Sequence, residues 1–384
     1  MTNQVIHRGL EGIAVTETHL STIDGEKGEL IIGGYPIEEL ATNAVYEEGV
    51  FLLFNDRLPT EPELESFRTE LTELRSISKK VQQVLRQAAQ EDIEAMDALR
   101  MGVAAANLGS ELTDSSDYAK RLVSVIPTIV ATYWRYRIDQ EVVSPREDLG
   151  HAANYIYMLT GEDPDPAAVR GLETYLNTVT DHGLNASTFV ARSIASSNSD
   201  LISAVTGAVG SLKGPLHGGA PGPVLEMLLE VHESGDPGGY VQEKLDSGER
   251  LMGFGHRVYR TRDPRAKVLS HAAQQLHSDV DDQRFFESVE EFEEIAVRQL
   301  AEHNPNRKLE TNVEFYTAVL LHGVGIPQEL FTPTFAVSRV GGWTAHGLEE
   351  LADTKIIRPT SVYAGNRNRS WSPLDERNRS QDGS

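Results

Sequence analysis

The chain has 384 residues, 39% hydrophobic and 24% charged. That is long enough for two domains and apolar enough to bury a sizeable core. It carries 58 acidic against 35 basic residues, a formal charge of -23, and no cysteine, which excludes disulfides, thiolate catalysis and zinc–cysteine sites and argues against nucleic acid as the main partner. No run of eighteen apolar residues and no secretory h-region is present, so a cytoplasmic protein without a membrane span is expected. Only nine of the basic residues are lysine. Acid excess with few lysines suits a protein kept soluble in high salt, a halophilic source, although an ordinary acidic cytoplasmic enzyme has a similar balance.

Residues 8–40 read as a short irregular start. Ile13, Val15 and Thr16 suggest a strand, and Leu30, Ile31 and Ile32 between glycines suggest a small hairpin or two. From Pro36 onward the pattern is helical. Thr60-Glu61-Pro62-Glu63 is a capping box, and Leu64, Phe67, Leu71, Leu74, Ile77, Val81 and Val84 follow at helical spacing, predicting one long amphipathic helix. Asp165-Pro166 starts another, with Val169, Leu172, Leu176 and Val179 inward, ending near Asp181-His182-Gly183. Leu201, Ile202, Val205, Ala208, Val209 and Leu212 mark a helix that Gly214 and Pro215 stop, and the next is expected from Pro223. Phe285, Val289, Phe292, Ile295 and Gln299 mark a further helix, whose glutamates read as a solvated face. Pro333 opens the last, through Phe335, Val337 and Val340 towards Leu351; the residues from Asn366 form a polar tail. The expected class is all-α with minor N-terminal β.

The stretch from Gly214 to Gly222 holds one histidine, four glycines and two prolines in nine residues. His217 therefore sits in a glycine-rich break between helices, where a ligand can approach closely and the next helix offers free N–H groups. A second glycine–histidine loop is Gly253-Phe254-Gly255-His256-Arg257, leading to Arg260, Arg262, Asp263-Pro264-Arg265 and Lys267. Asn312-Val313-Glu314 places a carboxylate in the first turn of a helix, and Arg339 and Arg358 stand alone in the last third. There is no dinucleotide fingerprint, no phosphate loop, no HExxH and no GxSxG elbow. Two histidines in glycine loops, one carboxylate and scattered arginines suit carbon–carbon bond formation through an enolate. A carboxylate removes the proton, a neutral histidine holds the enolate oxygen, a second histidine protonates the electrophile, and arginines clamp a dicarboxylate. Against this, Asn185 reads equally as a turn cap. Arg257 and Arg262 read as surface or ion-pair residues, His322 and His346 as core or interface histidines, and Trp343 as packing.

Together these motifs resemble the citrate synthase family through nearly the whole chain. Asp181-His182-Gly183-Leu184-Asn185-Ala186-Ser187-Thr188, Gly214-Pro215-Leu216-His217-Gly218-Gly219-Ala220 and Gly253-Phe254-Gly255-His256-Arg257-Val258-Tyr259 with Asp263-Pro264-Arg265 are the strongest signatures. The short prokaryotic form is the nearest match. The resemblance implies an all-helical homodimer with a large domain over 1–218 and 326–384 and a small domain over 219–325. It implies an acyltransferase that converts the acyl group to alkyl on transfer, joining acetyl-CoA to oxaloacetate at the entry to the tricarboxylic acid cycle, with no metal and no permanently bound cofactor. His217 would hold the enol, His256 would act on the oxaloacetate carbonyl, and Glu314 would be the base. His182, Arg265 and Arg339 would bind oxaloacetate, with Arg358 entering from the other subunit. Gly253, Phe254 and Gly255 would lie against the CoA adenine, with Arg260 and Lys267 near its phosphates.

Two positions depart from the family pattern. The usual Asn-Val-Asp falls at Asn312-Val313-Glu314, one methylene longer, and Val179 stands where many relatives have histidine. Either the backbone compensates at Glu314, or the chain is a slow or diverged member. A 2-methylcitrate synthase using propionyl-CoA, and an inactive paralogue that binds CoA or a dicarboxylate, share these motifs.

Overall fold

The computed structural model describes residues 5–107, 112, 114–218, 221–255, 259, 261–276, 280–305 and 309–379. Two compact units emerge: Thr18–Ile356, and the two chain ends, Met1–Glu17 with Ile357–Ser384. The fold is helical, with a single three-stranded antiparallel sheet among the described residues. Strand Ser21–Asp24 pairs with Glu29–Ile32, Ser21 opposite Ile32, and the latter pairs in turn with Tyr35–Pro36. Alternation puts Leu30 and Ile32 on the buried face, against Ile37, Leu40, Leu52 and Val268. No strand forms at Ile13, Val15 or Thr16; those residues run irregularly, and Ile13 and Val15 are exposed. A strand needs a partner for its backbone, and among the described residues none pairs with this segment.

The expected long helix from Leu64 to Val84 is two helices, Glu61–Glu73 and Lys79–Gln90. Glu63 closes the expected capping box by accepting from the Thr60 N–H at 2.8 Å. The break has a polar cause. Arg121 donates to the carbonyls of Leu74 and Ser76 at 2.6 and 2.7 Å, ending the first helix. Arg75 is buried and donates to the carbonyls of Arg146 and Leu149, both at 2.8 Å. Ser78 then caps the second helix through the Val81 N–H at 3.4 Å. Hydrophobic spacing continues across the break because both helices face one core, so periodicity alone did not reveal it.

The core is centred on helix Phe331–Ala352, which starts two residues before Pro333. From Phe331 to Gly347 it is buried except at Thr332. Its inward faces meet helix Pro166–Val179, which Asp165 caps through the Ala168 N–H at 3.0 Å. The closest approach is at Gly342. A Cβ there would lie 2.4 Å from the Thr180 carbonyl, so only glycine fits. Helix Leu201–Leu212 stops before Gly214 as expected, while the following helix begins at Pro221 rather than Pro223. His346 and Trp343 are fully buried, but His322 is exposed, with its ring against Phe285.

Candidate active site

His217 is carried by the turn after Leu212, closed by His217 N–H to the Gly214 carbonyl at 2.9 Å. A Cβ at Gly218 would fall 2.5 Å from the Leu212 carbonyl, so glycine is required for the loop to fold back. The imidazole meets the start of helix Ala186–Ala195. There Asn185 is the cap, accepting from the Thr188 N–H at 3.2 Å. His217 Nε2 accepts from the Ser187 backbone N–H at 3.3 Å and lies 2.7 Å from the Ser187 hydroxyl. An N–H only donates, so Nε2 is the bare nitrogen and the proton sits on Nδ1. Burial, and secondarily the positive field of Arg339, push the imidazole down to about 4. At neutral pH it is therefore an uncharged Nδ1–H donor.

Glu314 stands in the first turn of helix Val313–Val324, whose cap Asn312 accepts the Glu314 N–H at 3.0 Å. Position 314 is tied to the second glycine loop. Asn312 N–H donates to the Gly253 carbonyl at 2.9 Å, Gly255 N–H to the Glu310 carbonyl at 2.7 Å, and Asn312 Nδ2 to the Gly255 carbonyl at 2.9 Å. The carboxylate is half-buried, and its Oε2 is buried without a hydrogen-bond partner among the described residues. Burial pushes it up to about 7; Arg265 and Arg339 pull the other way, and Asp263 adds to the rise. A helix N-terminus favours the ionised form, but desolvation wins. The group is poised to accept a proton near neutral pH.

Two buried guanidinium groups flank it. Arg265 is gripped in a fork by Asp263, Nε to Oδ1 at 3.0 Å and Nη2 to Oδ2 at 2.8 Å. Burial opposes its charge, but the Asp263 carboxylate outweighs burial and holds the pKa above the usual guanidinium value. Arg339 donates Nε to the Val179 carbonyl at 2.6 Å and lies over the Phe335 ring at 4.5 Å. Its terminal nitrogens make no hydrogen bond among the described residues. Burial lowers it to about 10, so it stays charged at neutral pH. A buried guanidinium fork is suited to a bidentate carboxylate. His182, also buried, pairs Nε2 with the Tyr259 hydroxyl at 3.2 Å, and Arg265 lies over the Tyr259 ring at 5.8 Å. His182, Tyr259, Arg265, Glu314, Arg339 and His217 thus form one electrostatically connected group.

His256 and Arg260, with Arg257, lie outside the described residues. The Phe254 ring is 4% exposed and packs edge-on against Phe292 and Phe315, so the ring itself is part of the core. Gly253 and Gly255 have φ of +84° and +77°, and a Cβ at Gly253 would lie 2.9 Å from Phe315. Lys267 is exposed on helix Pro264–Leu276. Arg358 is exposed and belongs to the unit of the chain ends. Asn185 is the helix cap that one reading expected, and Arg262 pairs with Glu293 at 3.0 Å.

Sequence reasoning passed over Ser187, Tyr259 and Asp263, quoted only as parts of motifs, and read Trp343 as packing alone. A short polar residue just inside a helix start, beside the histidine loop, was the available signal for Ser187. Among the described residues no group of three His, Asp or Glu side chains could hold a metal ion, and no helix is long and apolar enough to cross a membrane.

A neutral histidine donor, a carboxylate titrating near 7 and two buried arginines in a helical frame define an acid–base enzyme that works on an anionic substrate. The family model "Citrate synthase, C-terminal domain" matches residues 9–360. The citrate synthase of Haloferax volcanii is 43% identical over 382 residues, covering 97% of this chain and 99% of the relative. The 2-methylcitrate synthase of Shewanella oneidensis is 35% identical, covering 96% and 97%. The Thermoplasma acidophilum citrate synthase, solved as a ternary complex with carboxymethyl coenzyme A and oxaloacetate, superposes with a TM-score of 0.88 at 30% identity, covering 97% of this chain and 99% of that one. The chain belongs to the citrate synthase family, and it is an acyl-transferring enzyme.

Proposed function

We propose that the enzyme condenses acetyl-CoA with oxaloacetate and water to give citrate and free CoA. The observation that carries this is the presence around Arg339 of both His217, neutral with its proton on Nδ1, and Glu314, a carboxylate raised to about 7 by burial. Glu314 removes a methyl proton from the thioester while His217 Nδ1–H donates to the developing enolate oxygen. The enol carbon attacks the oxaloacetate ketone, whose oxygen takes a proton with help from His256. Water then hydrolyses the citryl thioester, releasing CoA. Arg265, Arg339 and His182 hold the oxaloacetate carboxylates, and Arg358 of a second copy completes the site in a homodimer. Gly253, Gly255, Arg260 and Lys267 meet the CoA. Residues 219–325 act as the small domain that closes over the substrates and excludes water until the hydrolytic step. The enzyme works in the cytoplasm, and its acidic surface suits high salt.

The test is thiol release from acetyl-CoA on adding oxaloacetate, at low and at molar KCl, with propionyl-CoA in parallel. Turnover with acetyl-CoA that vanishes in Glu314→Gln supports the proposal. A higher kcat/KM with propionyl-CoA makes it a 2-methylcitrate synthase; one methylene shifts such discrimination by only about 1–3 kcal/mol. Oxaloacetate binding without turnover of either thioester makes it a binding paralogue.

A further inference from the structure

His217 does not stand alone on Ser187. The Ser187 hydroxyl also accepts from the indole Nε1–H of Trp343 at 3.0 Å. Trp343 is fully buried and lies one helical turn beyond Arg339 on helix Phe331–Ala352. A single helix therefore presents the arginine fork to the site and, four residues on, a rigid donor beneath the histidine.

The hydroxyl has one proton and two acceptor positions. An indole N–H can only donate, so it occupies one acceptor position and turns the hydroxyl proton away from the tryptophan. That proton then has two nearby acceptors, His217 Nε2 at 2.7 Å and Asn185 Oδ1 at 2.9 Å. Asn185 Oδ1 already accepts the Thr188 N–H that caps the helix. Nε2 already faces one donor, the Ser187 N–H, and a proton on Nε2 would set two N–H groups against each other.

We propose that Trp343 is a positioning residue for the condensation: through the Ser187 hydroxyl, its indole N–H holds His217 in the tautomer that presents Nδ1–H to the enol oxygen. Packing alone would ask only for a large ring at 343. The indole N–H is what links the ring to the reacting histidine, and donation to an oxygen strengthens the bond that oxygen's own proton makes. The proposal rests on the synthase reading for its consequence, but not for the tautomer itself.

The test uses full-length protein with 15N-labelled histidine, the His217 signals being assigned by their absence in His217→Gln. The wild type is expected to show a bare Nε2 and a protonated Nδ1. Trp343→Phe keeps an aromatic ring and removes the donor. It should shift the His217 signals towards a mixture of tautomers and lower kcat by about five- to tenfold, the effect of one neutral hydrogen bond. KM for both substrates should stay within about twofold, because the loss falls on the transition state. Ser187→Ala should do the same, and Trp343→Phe should cost nothing further in the Ser187→Ala background. An unchanged tautomer in Trp343→Phe, or an equal loss of kcat with and without the Ser187 hydroxyl, overturns the proposal and leaves Trp343 as packing. A wild type with bare Nε2 but no thiol release overturns the synthase reading while the positioning stands.

Discussion

Gly342 donates its N–H to the Thr180 carbonyl at 3.2 Å, and this contact decides where Arg339, three residues earlier, can reach. A Cβ at 342 would meet the Thr180 backbone carbonyl at 2.4 Å and the Asp181 side-chain Oδ1 at 2.7 Å, both on fully buried residues. Gly342→Ala must push two core helices apart, at a cost of about 1–3 kcal/mol. It should also raise KM for oxaloacetate, because Arg339 moves with its helix. Urea denaturation and steady-state kinetics check the two effects together. Full stability with unchanged KM would show that the helices slide without disturbing the site.

Glu314 tests the compensation for its extra methylene. Glu314→Gln should lower kcat by about 10²–10⁴-fold. Glu314→Asp restores the family's usual residue but withdraws the carboxylate by one methylene, and a misplacement of about 1 Å should cost on the order of 10²-fold. Single-turnover measurement of enolisation, read as proton exchange from the acetyl methyl group, separates this step from hydrolysis. An aspartate variant faster than the wild type would mean that Glu314 is a handicap the backbone has not absorbed.

The same carboxylate sets a pH dependence. Its folded pKa, about 7, is above the unfolded value. Catalysis needs the ionised form, so kcat/KM should rise with pH through an apparent pKa near 7. Stability runs the opposite way: the protonated form suits its buried place, and that advantage is lost as pH rises through 7. Glu314→Gln should therefore melt higher than the wild type at pH 8, with the two converging below pH 4.5. Calorimetry at both pH values checks the sign.

His151 predicts acid sensitivity. It is fully buried, 4.7 Å between ring centroids from Tyr46, with its Nε2 lacking a hydrogen-bond partner among the described residues. Burial first, and Arg75 second, push it down to about 3. A depressed histidine pKa contributes stability that is present above the unfolded value of 6.5 and is lost as pH falls towards 3. Between pH 6.5 and 5 this is about 2 kcal/mol. His217 acts in the same sense. In His151→Phe the fall in melting temperature over that range should shrink by the corresponding amount, with His217→Gln as the second subtraction.

Much of the site was legible because its residues are local in sequence. A histidine between glycines, a carboxylate after a helix-capping asparagine and Asp263-Pro264-Arg265 are short patterns whose chemistry follows from residue type and spacing. The helical frame was legible for the same reason, since apolar spacing and capping residues act within one or two turns. Where the reading failed, a distant group decided. Arg121 and Arg75 split the helix after Glu73 through carbonyls that periodicity cannot see. Ile13 and Val15 lacked a neighbouring strand, and His322 faced outward. The sequence by itself determined which groups are available: His217, Glu314 and the arginines in a mostly helical chain without cysteine. Only the tertiary structure decided their chemical state. Glu314 is raised, His217 is neutral with its proton on Nδ1, and the Arg339 fork is desolvated. Each depends on burial and on partners remote in the chain: Asp263 for Glu314, Ser187 and Trp343 for His217, Val179 for Arg339. Desolvation and hydrogen-bond direction are properties of the packed surroundings, not of the residue.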